Sequence, residues 1–193
     1  MKAIKTGIIG FGRMASNHHL TAMRETGLFD ITAVCDITES RRQAAEEEGL
    51  SATDDINAFL DSDLELILIT THSSLHYESA LKVAAAKKHM LIEKPLEITT
   101  DRIDQIIAAA NAKGVVLASV FQSRCAPIAQ KLKALVDDGL LGEIYAGSAY
   151  IKRYRPQSYY DSGGWRGTWD IDGGGCLMNQ GIHLTDLLLW FMG

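Results

Sequence analysis

Short apolar runs alternate with longer amphipathic segments over about the first 120 residues of the chain. The apolar runs show little polar alternation, which is typical of strands that are buried on both faces of a parallel sheet. They lie at Ile4–Ile9, Ile31–Cys35, Leu66–Thr70, Met90–Ile92 and Val115–Val120. The amphipathic segments predict helices over residues 13–26, 39–48, 75–88 and 100–113, and a shorter element at Asp55–Leu60. This order predicts an α/β fold with an open, doubly wound parallel sheet.

The part of the chain beyond residue 120 has a different pattern. It predicts, in order, a helix, a long strand, a loop dense in Gly, Trp and Arg, and a final helix. These lie at Pro127–Asp137, Glu143–Tyr154, Ser158–Gly175 and Cys176–Met192. We therefore expect a first domain over residues 1–120 and, over residues 121–193, the beginning of a second domain of the α+β class.

Composition places the chain among ordinary globular proteins. It has 193 residues, 47% of them hydrophobic and 22% charged, with a formal net charge of −5. The acidic balance and the lack of a Lys/Arg-rich tract argue against a nucleic-acid partner. No apolar stretch reaches the ~20 residues that span a bilayer, and Met1–Thr6 is predicted as the start of a strand, not a signal peptide. The three cysteines form no paired motif, so we expect them to be reduced in a cytoplasmic protein.

A glycine-rich turn directly follows the first predicted strand. The run Gly10-Phe11-Gly12-Arg13-Met14-Ala15 matches the G-x-G-x-x-A pattern, in which the glycines allow a tight turn and close approach to a pyrophosphate. The small Ala15 lets the next helix pack closely on the strand. All six residues are predicted to bind a dinucleotide, whose phosphates would lie at the helix N-terminus. In that helix, His18 and His19 are expected on a solvated face.

Asp36 follows the second predicted strand. A carboxylate in this place would accept hydrogen bonds from both ribose hydroxyls of the dinucleotide and would repel a 2′-phosphate. The sequence therefore predicts NAD as the cofactor in preference to NADP. The alternative is that Asp36 only caps the next helix. Arg41 and Arg42 are expected to lie along the surface of that helix.

Two polar loops are predicted at the carboxyl edge of the sheet, where doubly wound folds bind their ligands. Thr71 and His76 belong to the first loop, and Glu93 and Lys94 belong to the second. We expect all four residues to contact the cofactor. Lys94 is also predicted to transfer a proton, because Pro95 holds it in extended geometry at the end of a strand. In the alternative interpretations, Lys94 is a surface lysine paired with a nearby glutamate, and His76 is structural.

The final predicted helix is apolar over most of its surface but carries a polar stripe. Asn179, His183 and Asp186 fall on one face at i, i+4 and i+7. Because a buried polar stripe needs partners or a cavity, His183 is predicted to exchange a proton with a substrate hydroxyl. Asn179 would hold an oxygen, and Asp186 would orient the imidazole. The alternative is a satisfied core histidine with Asn179 capping a loop. No Glu or Cys completes a ligand set, so no metal site is predicted.

As a set, these motifs resemble the glucose–fructose oxidoreductase/inositol dehydrogenase/MocA (Gfo/Idh/MocA) family of NAD(P)-dependent sugar and polyol oxidoreductases. The matching parts stand in family order and span the chain. They are Gly7–Ala15, Asp36, Thr71–His76, Glu93-Lys94-Pro95 and Gly173–Asp186. The resemblance implies a Rossmann domain followed by a domain with a mainly antiparallel open sheet.

The resemblance also implies roles for individual residues. Lys94 and His183 would be catalytic, with the substrate ring lying between them and the nicotinamide. Many family members have Asp where this chain has Asn179, which shifts the acid–base role toward Lys94 and His183. Arg153, Arg155 or Arg166 would bind an anionic substituent, and Trp165, Arg166 and Trp169 would approach the substrate. The residues expected to bind substrate are thus Lys94, Arg153, Trp165, Arg166, Asn179 and His183.

The leading functional prediction is hydride transfer between NAD and a secondary alcohol of a sugar, polyol or nucleotide sugar. Family members continue well beyond the last helix, so this chain is expected to be a fragment or to need another copy to cover apolar surface. We therefore expect a homo-oligomer. In the chain as it stands, we expect cofactor binding to be retained better than catalysis. The competing hypothesis is a dinucleotide-binding regulatory or truncated non-catalytic module. The presence of both Lys94 and His183 favours the enzyme.

Overall fold

The computed structural model of this protein describes residues 2–193. The chain divides into two compact units, Met1–Ser119 and Val120–Gly193. Within residues 2–193, no helix combines the length and the apolar character that crossing a membrane requires. The two units are described separately below.

The first unit is built on one parallel sheet of six strands. The strands are β1 (Ile4–Ile9), β2 (Phe29–Cys35), β3 (Ser51–Thr53), β4 (Leu66–Ile69), β5 (His89–Ile92) and β6 (Leu117–Ser119). They lie in the order β3-β2-β1-β4-β5-β6, which confirms the predicted doubly wound parallel sheet. The apolar pattern does not predict β3, because its three residues contain no apolar run and pair only with β2.

Helices connect the strands of the first unit. They are α1 (Leu20–Thr26), α2 (Glu39–Glu47), α3 (Ile56–Leu60), α4 (His76–Ala85) and α5 (Thr100–Lys113). A π-helical turn, Ala15–His19, leads directly into α1. Gly27 and Gly114 end α1 and α5 in the left-handed conformation, each with a φ of 65°. These helix ends set the points at which the chain turns back toward the sheet.

Both faces of the sheet are covered by helices. Ile67 and Leu68 are neighbours on β4 and are both fully buried, although they point to opposite faces. Ile67 belongs to a cluster that includes Val83 of α4, whereas Leu68 belongs to a cluster that includes Leu20 of α1. Burying such a side chain contributes about 1.5–3 kcal/mol. The loops at the strand ends are therefore carried by a well-packed frame.

The regular structure of the second unit is helical. Its helices are α6 (Pro127–Asp137), α7 (Gln157–Asp161) and α8 (Ile182–Met192). A 3₁₀ turn, Gln122–Cys125, precedes α6, and a π-helical turn, Leu177–Gly181, leads into α8. Pro127 stands at the first position of α6, where a missing N–H costs no hydrogen bond.

The long strand predicted over Glu143–Tyr154 is wrong, because residues 144–156 form no regular secondary structure. A strand needs hydrogen bonds to a neighbouring strand, and residues 120–193 contain none. The segment packs against α8 instead. A Cβ at Gly147 would lie 2.7 Å from Sδ of Met192 and 2.8 Å from Cδ1 of Leu188, so glycine permits this close approach. The mainly antiparallel open sheet expected for the second domain stays a prediction.

Candidate active site

The glycine turn after β1 is fixed by hydrogen bonds to both neighbouring strands. The N–H of Gly10 donates to the carbonyl of Cys35 at the end of β2 (2.8 Å), and the Thr70 hydroxyl donates to the carbonyl of Gly10. Gly10 has a φ of +88°, and a Cβ there would lie 2.9 Å from Cγ2 and 3.0 Å from the backbone nitrogen of Thr71. Glycine is therefore required at the carboxyl edge of the sheet.

Beyond this turn, the backbone faces open space. A Cβ at Gly12 would have no neighbour within 4 Å. Arg13 and Met14 are exposed, whereas Ala15 is fully buried. The hydroxyl of Thr71, beside the turn, is buried and has no hydrogen-bond partner among residues 2–193. An open helix start next to a buried hydroxyl fits the pyrophosphate of a dinucleotide, because both can donate hydrogen bonds to its oxygens.

Asp36 supports the glycine turn directly. Its buried carboxylate accepts the N–H of Phe11 at Oδ2 (2.7 Å) and the N–H of Thr38 at Oδ1 (2.8 Å). The side chain of Phe11 is itself buried in the core. Because Thr38 immediately precedes α2, Asp36 also organises the entry to that helix, as the capping alternative suggests. Its contact with the ribose hydroxyls stays a prediction.

The expectation that Arg41 and Arg42 lie along the surface of α2 is wrong for Arg42, which is 21% exposed, whereas the Arg41 side chain is 45% exposed and still reaches Asp36. Nη1 of Arg42 donates to the backbone carbonyl of Asp36 (2.8 Å), and Nη1 of Arg41 lies 3.5 Å from Oδ2 of the same residue. The oxygens of Asp36 attract both guanidinium groups from the first turns of α2. Positive charge therefore lies beside the carboxylate that was expected to repel a 2′-phosphate, and it reduces that repulsion.

His76 joins the two polar loops at the sheet edge. The ring is buried, with Nδ1 3.0 Å from the carbonyl oxygen of Pro95 and Nε2 3.2 Å from that of Thr71. Burial lowers the pKa of His76, and the hydrogen bonds to these carbonyls only partly oppose the shift. Since both ring nitrogens face backbone carbonyls of the protein, and the neutral ring can donate to one of them, the geometry favours the structural interpretation of His76. It holds the Thr71 loop and the Lys94 loop together.

Lys94 lies directly after β5, at the same edge of the sheet. It is half-buried, and its backbone N–H donates to Oε2 of Glu93 (3.0 Å). The Lys94–Pro95 peptide bond is cis. Glu97, one of the partners that the surface-lysine interpretation offers, is buried and pairs with Arg102 (3.1 Å). The loop around Lys94 is thus fixed by local hydrogen bonds on both sides.

His19 is not on a solvated face, so that expectation is wrong. Its Nε2 lies 2.6 Å from Oε1 of Glu93, and the two side chains are 15% and 9% exposed. Burial would raise the pKa of Glu93, but the hydrogen bond from His19 and the charges of His19 and Lys94 lower it overall. The pair ties the helix after the glycine turn to the Lys94 loop. The sequence gives no local signal for this pair, because the turn Ala15–His19 is π-helical and the α-helical i, i+4 spacing does not apply to it.

Replacing His19 by phenylalanine is expected to lower the free energy of unfolding by about 1–3 kcal/mol at pH 7, because buried Glu93 loses its partner. His18→Phe is the matched control, since His18 is exposed on the same turn. Urea denaturation measures both variants. The lowered pKa of Glu93 means that its stabilisation is present above its ordinary value of 4.5 and is lost as the pH falls below that value. The difference from wild type should therefore shrink in acid, and equal stability of all three proteins at pH 7 would contradict the assignment.

The second unit contains a cavity of about 190 Å³. Its lining brings together Arg153 and Asn179, two of the residues predicted to bind substrate, with Tyr159 and Asp172. Nδ2 of Asn179 lies 3.4 Å from both carboxylate oxygens of Asp172, and its Oδ1 accepts a hydrogen bond from Nε2 of Gln180 (2.8 Å). Sequence reasoning missed Asp172. The run Gly173-Gly174-Gly175 directly after it gives no sign that Asp172 lines a cavity.

His183 is not part of that lining. Its ring packs edge-on against Phe121, with 6.5 Å between the ring centroids. The π-helical turn spans Asn179, so the α-helical i, i+4 rule does not hold between Asn179 and His183. Both carboxylate oxygens of Asp186 accept hydrogen bonds from Arg124, at 2.8 Å from Nε and 2.6 Å from Nη2. Sequence reasoning missed this ion pair, and the proton-transfer role of His183 stays a prediction.

Trp165 and Arg166 form a neighbouring group. The guanidinium carbon of Arg166 lies 4.9 Å from the ring centroids of both Trp165 and Tyr159. Since Tyr159 lines the cavity, it connects the two groups of predicted substrate residues. Trp169 is 80% exposed. Within residues 2–193, no group of three or more His, Cys, Asp or Glu side chains could hold a metal ion.

A six-stranded parallel sheet in this order, with a glycine turn after β1 and a carboxylate after β2, defines a Rossmann-fold dinucleotide-binding domain. The fit of the open turn and the Thr71 hydroxyl to a pyrophosphate agrees with that class. The chain belongs to the Gfo/Idh/MocA oxidoreductase family. The family's NAD-binding Rossmann model matches residues 4–121, and a Gfo/Idh/MocA C-terminal domain model matches residues 129–193.

Several characterised proteins are similar to this chain. The D-glucoside 3-dehydrogenase of Escherichia coli (strain K12) is 31% identical, over 98% of this chain and 54% of that protein. The inositol 2-dehydrogenase/D-chiro-inositol 3-dehydrogenase of Lactiplantibacillus plantarum is 27% identical, over 97% and 52%. The crystal structure of the WlbA dehydrogenase from Bordetella pertussis, in complex with NADH and UDP-GlcNAcA, is 32% identical with a TM-score of 0.93, covering 100% of this chain and 56% of that one. The chain thus spans about half the length of the curated relatives it matches.

Proposed function

We propose that this chain carries the cofactor-binding part, and some of the substrate-binding part, of an NAD-dependent oxidoreductase. The enzyme would transfer a hydride between nicotinamide and a secondary alcohol carbon of a sugar, polyol or nucleotide sugar. The relatives named above, a glucoside dehydrogenase, an inositol dehydrogenase and a dehydrogenase bound to UDP-GlcNAcA, support this range of substrates. Because the chain spans only about half of those relatives, the activity of the whole protein is part of the proposal.

One observation carries the proposal. The glycine turn and the Lys94 loop meet at one edge of the sheet and are tied together by two histidines. His76 contacts the carbonyls of Thr71 and Pro95, and His19 pairs with Glu93. A protein that only bound a dinucleotide would have no need to fix a lysine beside the glycine turn. This arrangement therefore supports catalysis over the regulatory alternative.

The cofactor would be held by residues of the first unit. When bound, NAD supplies the nicotinamide ring that accepts or returns the hydride. The turn at Gly10 and Gly12 would hold the pyrophosphate, with the Thr71 hydroxyl as a further donor, and Asp36 would accept hydrogen bonds from the ribose hydroxyls. Preference for NAD over NADP would depend on the Asp36 carboxylate, and the guanidinium beside it would moderate that preference.

Two side chains of this chain, Lys94 and His183, would exchange the proton of the reacting hydroxyl. The Lys94 amine would hold or take that proton, since the Lys94 backbone N–H donates to Glu93 and the next carbonyl, that of Pro95, contacts His76 at the ligand-binding edge of the sheet. His183 is proposed as the second proton-transfer group, with its ring positioned by Phe121. Asn179 would bind a substrate oxygen but has no acid–base function.

A substrate screen tests the proposal. The chain, and a form extended to the length of its relatives, would be incubated with NAD or NADP and panels of sugars, polyols and nucleotide sugars. Reduced-nicotinamide absorbance reports turnover, and isothermal titration reports cofactor binding separately. We expect at least one panel member to reduce NAD faster than NADP in the extended form. Tight NAD binding without turnover of any panel member would contradict the enzyme and favour the binding module.

A further inference from the structure

One short segment of the second unit, residues 121–124, contacts two polar residues of α8. The ring of Phe121 packs edge-on against that of His183, with 6.5 Å between the ring centroids. Arg124 donates two hydrogen bonds to the carboxylate of Asp186, from Nε (2.8 Å) and from Nη2 (2.6 Å). His183 and Asp186 stand three residues apart within α8, so their side chains lie on one face of that helix. Residues 121–124 therefore lie against the face of α8 that carries His183.

The ion pair between Arg124 and Asp186 is held on several sides. Its two parallel hydrogen bonds make it bidentate, which is the strongest geometry for a guanidinium and a carboxylate. The side chain of Asp186 is only 10% exposed. The guanidinium carbon of Arg124 lies 5.3 Å from the ring centroid of Trp190, so the indole supports the face of the same group. Because both carboxylate oxygens are bound to Arg124, its positive charge offsets the negative charge of Asp186 at short range.

Other charged groups contact α8, or the turn before it, at other points. Nζ of Lys133, in α6, lies 6.0 Å from the ring centroid of Trp190, which is about two helical turns beyond His183. Arg153 and the buried Asp172 contact side-chain amides of the π-helical turn before α8. The other titratable side chains of the 3₁₀ turn and of α6 are exposed, namely Cys125, Lys131 and Asp137. His183 thus has one charged neighbour on its own helix, and that carboxylate is already paired.

The pairing of Asp186 affects which form of His183 is favoured. A carboxylate without a cationic partner, on the same helix face, would stabilise the charged imidazolium. Oxidation of an alcohol transfers a hydride to NAD and releases the hydroxyl proton, and only the neutral imidazole has a nitrogen lone pair that can accept this proton. Binding of Asp186 by Arg124 therefore favours the form of His183 that can act as a base.

We propose that Arg124 is a positioning residue for His183: it binds the Asp186 carboxylate and offsets its charge, so that the imidazole remains a proton acceptor. This role replaces the one expected from the sequence, in which Asp186 orients the imidazole, because both oxygens of Asp186 are bound by Arg124. The inference rests on the proposed function, in which His183 exchanges a proton with the substrate hydroxyl.

Titration of His183 by NMR tests the inference on this chain, with neither substrate nor cofactor. The Cε1–H signal of His183 is identified by its loss in His183→Gln and is followed between about pH 5 and 9. We expect Arg124→Gln to raise the pKa of His183 by about 0.5 or more, because Asp186 then stabilises the imidazolium. Asp186→Asn should lower that pKa, because the remaining guanidinium disfavours a second positive charge. The double variant removes both charges and should return the pKa to within about 0.3 of wild type.

Two further variants separate charge from packing. Lys133→Gln is the matched control, because it removes the other cation beside Trp190 and leaves Asp186 paired, so the pKa of His183 should not change. Arg124→Lys keeps the charge but loses the fork of donors, and should raise the pKa less than Arg124→Gln does. If Arg124→Gln does not fold, the double variant must still show a higher pKa than Asp186→Asn. An unchanged pKa in both single variants, or a shift in the same direction in both, would overturn the inference.

Turnover provides a second readout in whichever form of the chain reduces NAD. We expect the acid limb of the kcat profile to move to higher pH in Arg124→Gln and to return in the double variant, with KM nearly unchanged. The expected pattern of pKa values without any NAD reduction keeps the assignment of Arg124 and removes the proposed function. NAD reduction by a protein in which neither variant shifts the pKa of His183 keeps the function and removes the inference.

Discussion

Gly10→Ala is expected to lower the free energy of unfolding by about 2–4 kcal/mol, because a left-handed backbone disfavours any Cβ and the site has no room for one. The new Cβ would lie 3.0 Å from the backbone nitrogen of Thr71 and 3.1 Å from the carbonyl carbon of Thr70. Both atoms belong to the chain leaving β4, which is hydrogen-bonded between β1 and β5, so they have little freedom to move away. Urea denaturation measures the loss.

Gly12→Ala separates the two roles of the glycine turn. A Cβ at Gly12 meets nothing within 4 Å, so this variant should unfold at nearly the wild-type midpoint. The same methyl group would occupy the space into which the pyrophosphate must approach, so NAD affinity should fall by at least about tenfold. Wild-type stability of Gly10→Ala would contradict the strain argument. Wild-type NAD affinity of Gly12→Ala would show that the phosphates lie elsewhere.

The parallel sheet could be predicted because its strands are buried on two faces. Neighbours such as Ile67 and Leu68 are both apolar, and such uninterrupted runs are typical of strands in parallel sheets. The glycine turn could also be predicted from the sequence, because Gly10 and Gly12 stand at a fixed spacing directly after β1. These features depend on local sequence. By contrast, β3 forms by pairing with β2, and its three residues show no apolar pattern that would predict a strand.

Contacts between distant segments were the features that sequence reasoning missed. The pairing of His19 with Glu93 joins residues 74 positions apart, and no local pattern indicates it. The position of Arg41 in α2 allows its side chain to point either toward Asp36 or toward solvent. It points toward Asp36 because the buried carboxylate attracts the guanidinium group. The predicted strand at 143–154 failed for a related reason, because β-propensity expresses itself only where a neighbouring strand is available. In each case the partner, not the segment itself, determined the structure.

Lys94→Met is expected to reduce turnover by about 10²- to 10⁴-fold in whichever form of the chain shows NAD reduction, because the reacting hydroxyl loses its proton-transfer partner. Methionine keeps the length and packing of the side chain, so the loop held by Glu93 and Pro95 should remain folded. NAD affinity should change by only a few-fold, roughly the effect of losing one contact of a half-buried side chain. Steady-state kinetics and isothermal titration measure the two quantities. Lys82→Met is the matched control, since Lys82 is exposed on α4.

The division of the effect between turnover and binding identifies what Lys94 does. A loss in kcat with KM and NAD affinity nearly unchanged is the signature of a group that acts on the reacting hydroxyl in the transition state. A rise in KM alone would mean that the amine binds substrate uniformly and moves no proton. A loss confined to NAD affinity would place the amine against the cofactor. Full turnover in Lys94→Met would remove the proton-transfer role altogether, and the arrangement of His76 and His19 around the loop would then serve cofactor binding alone.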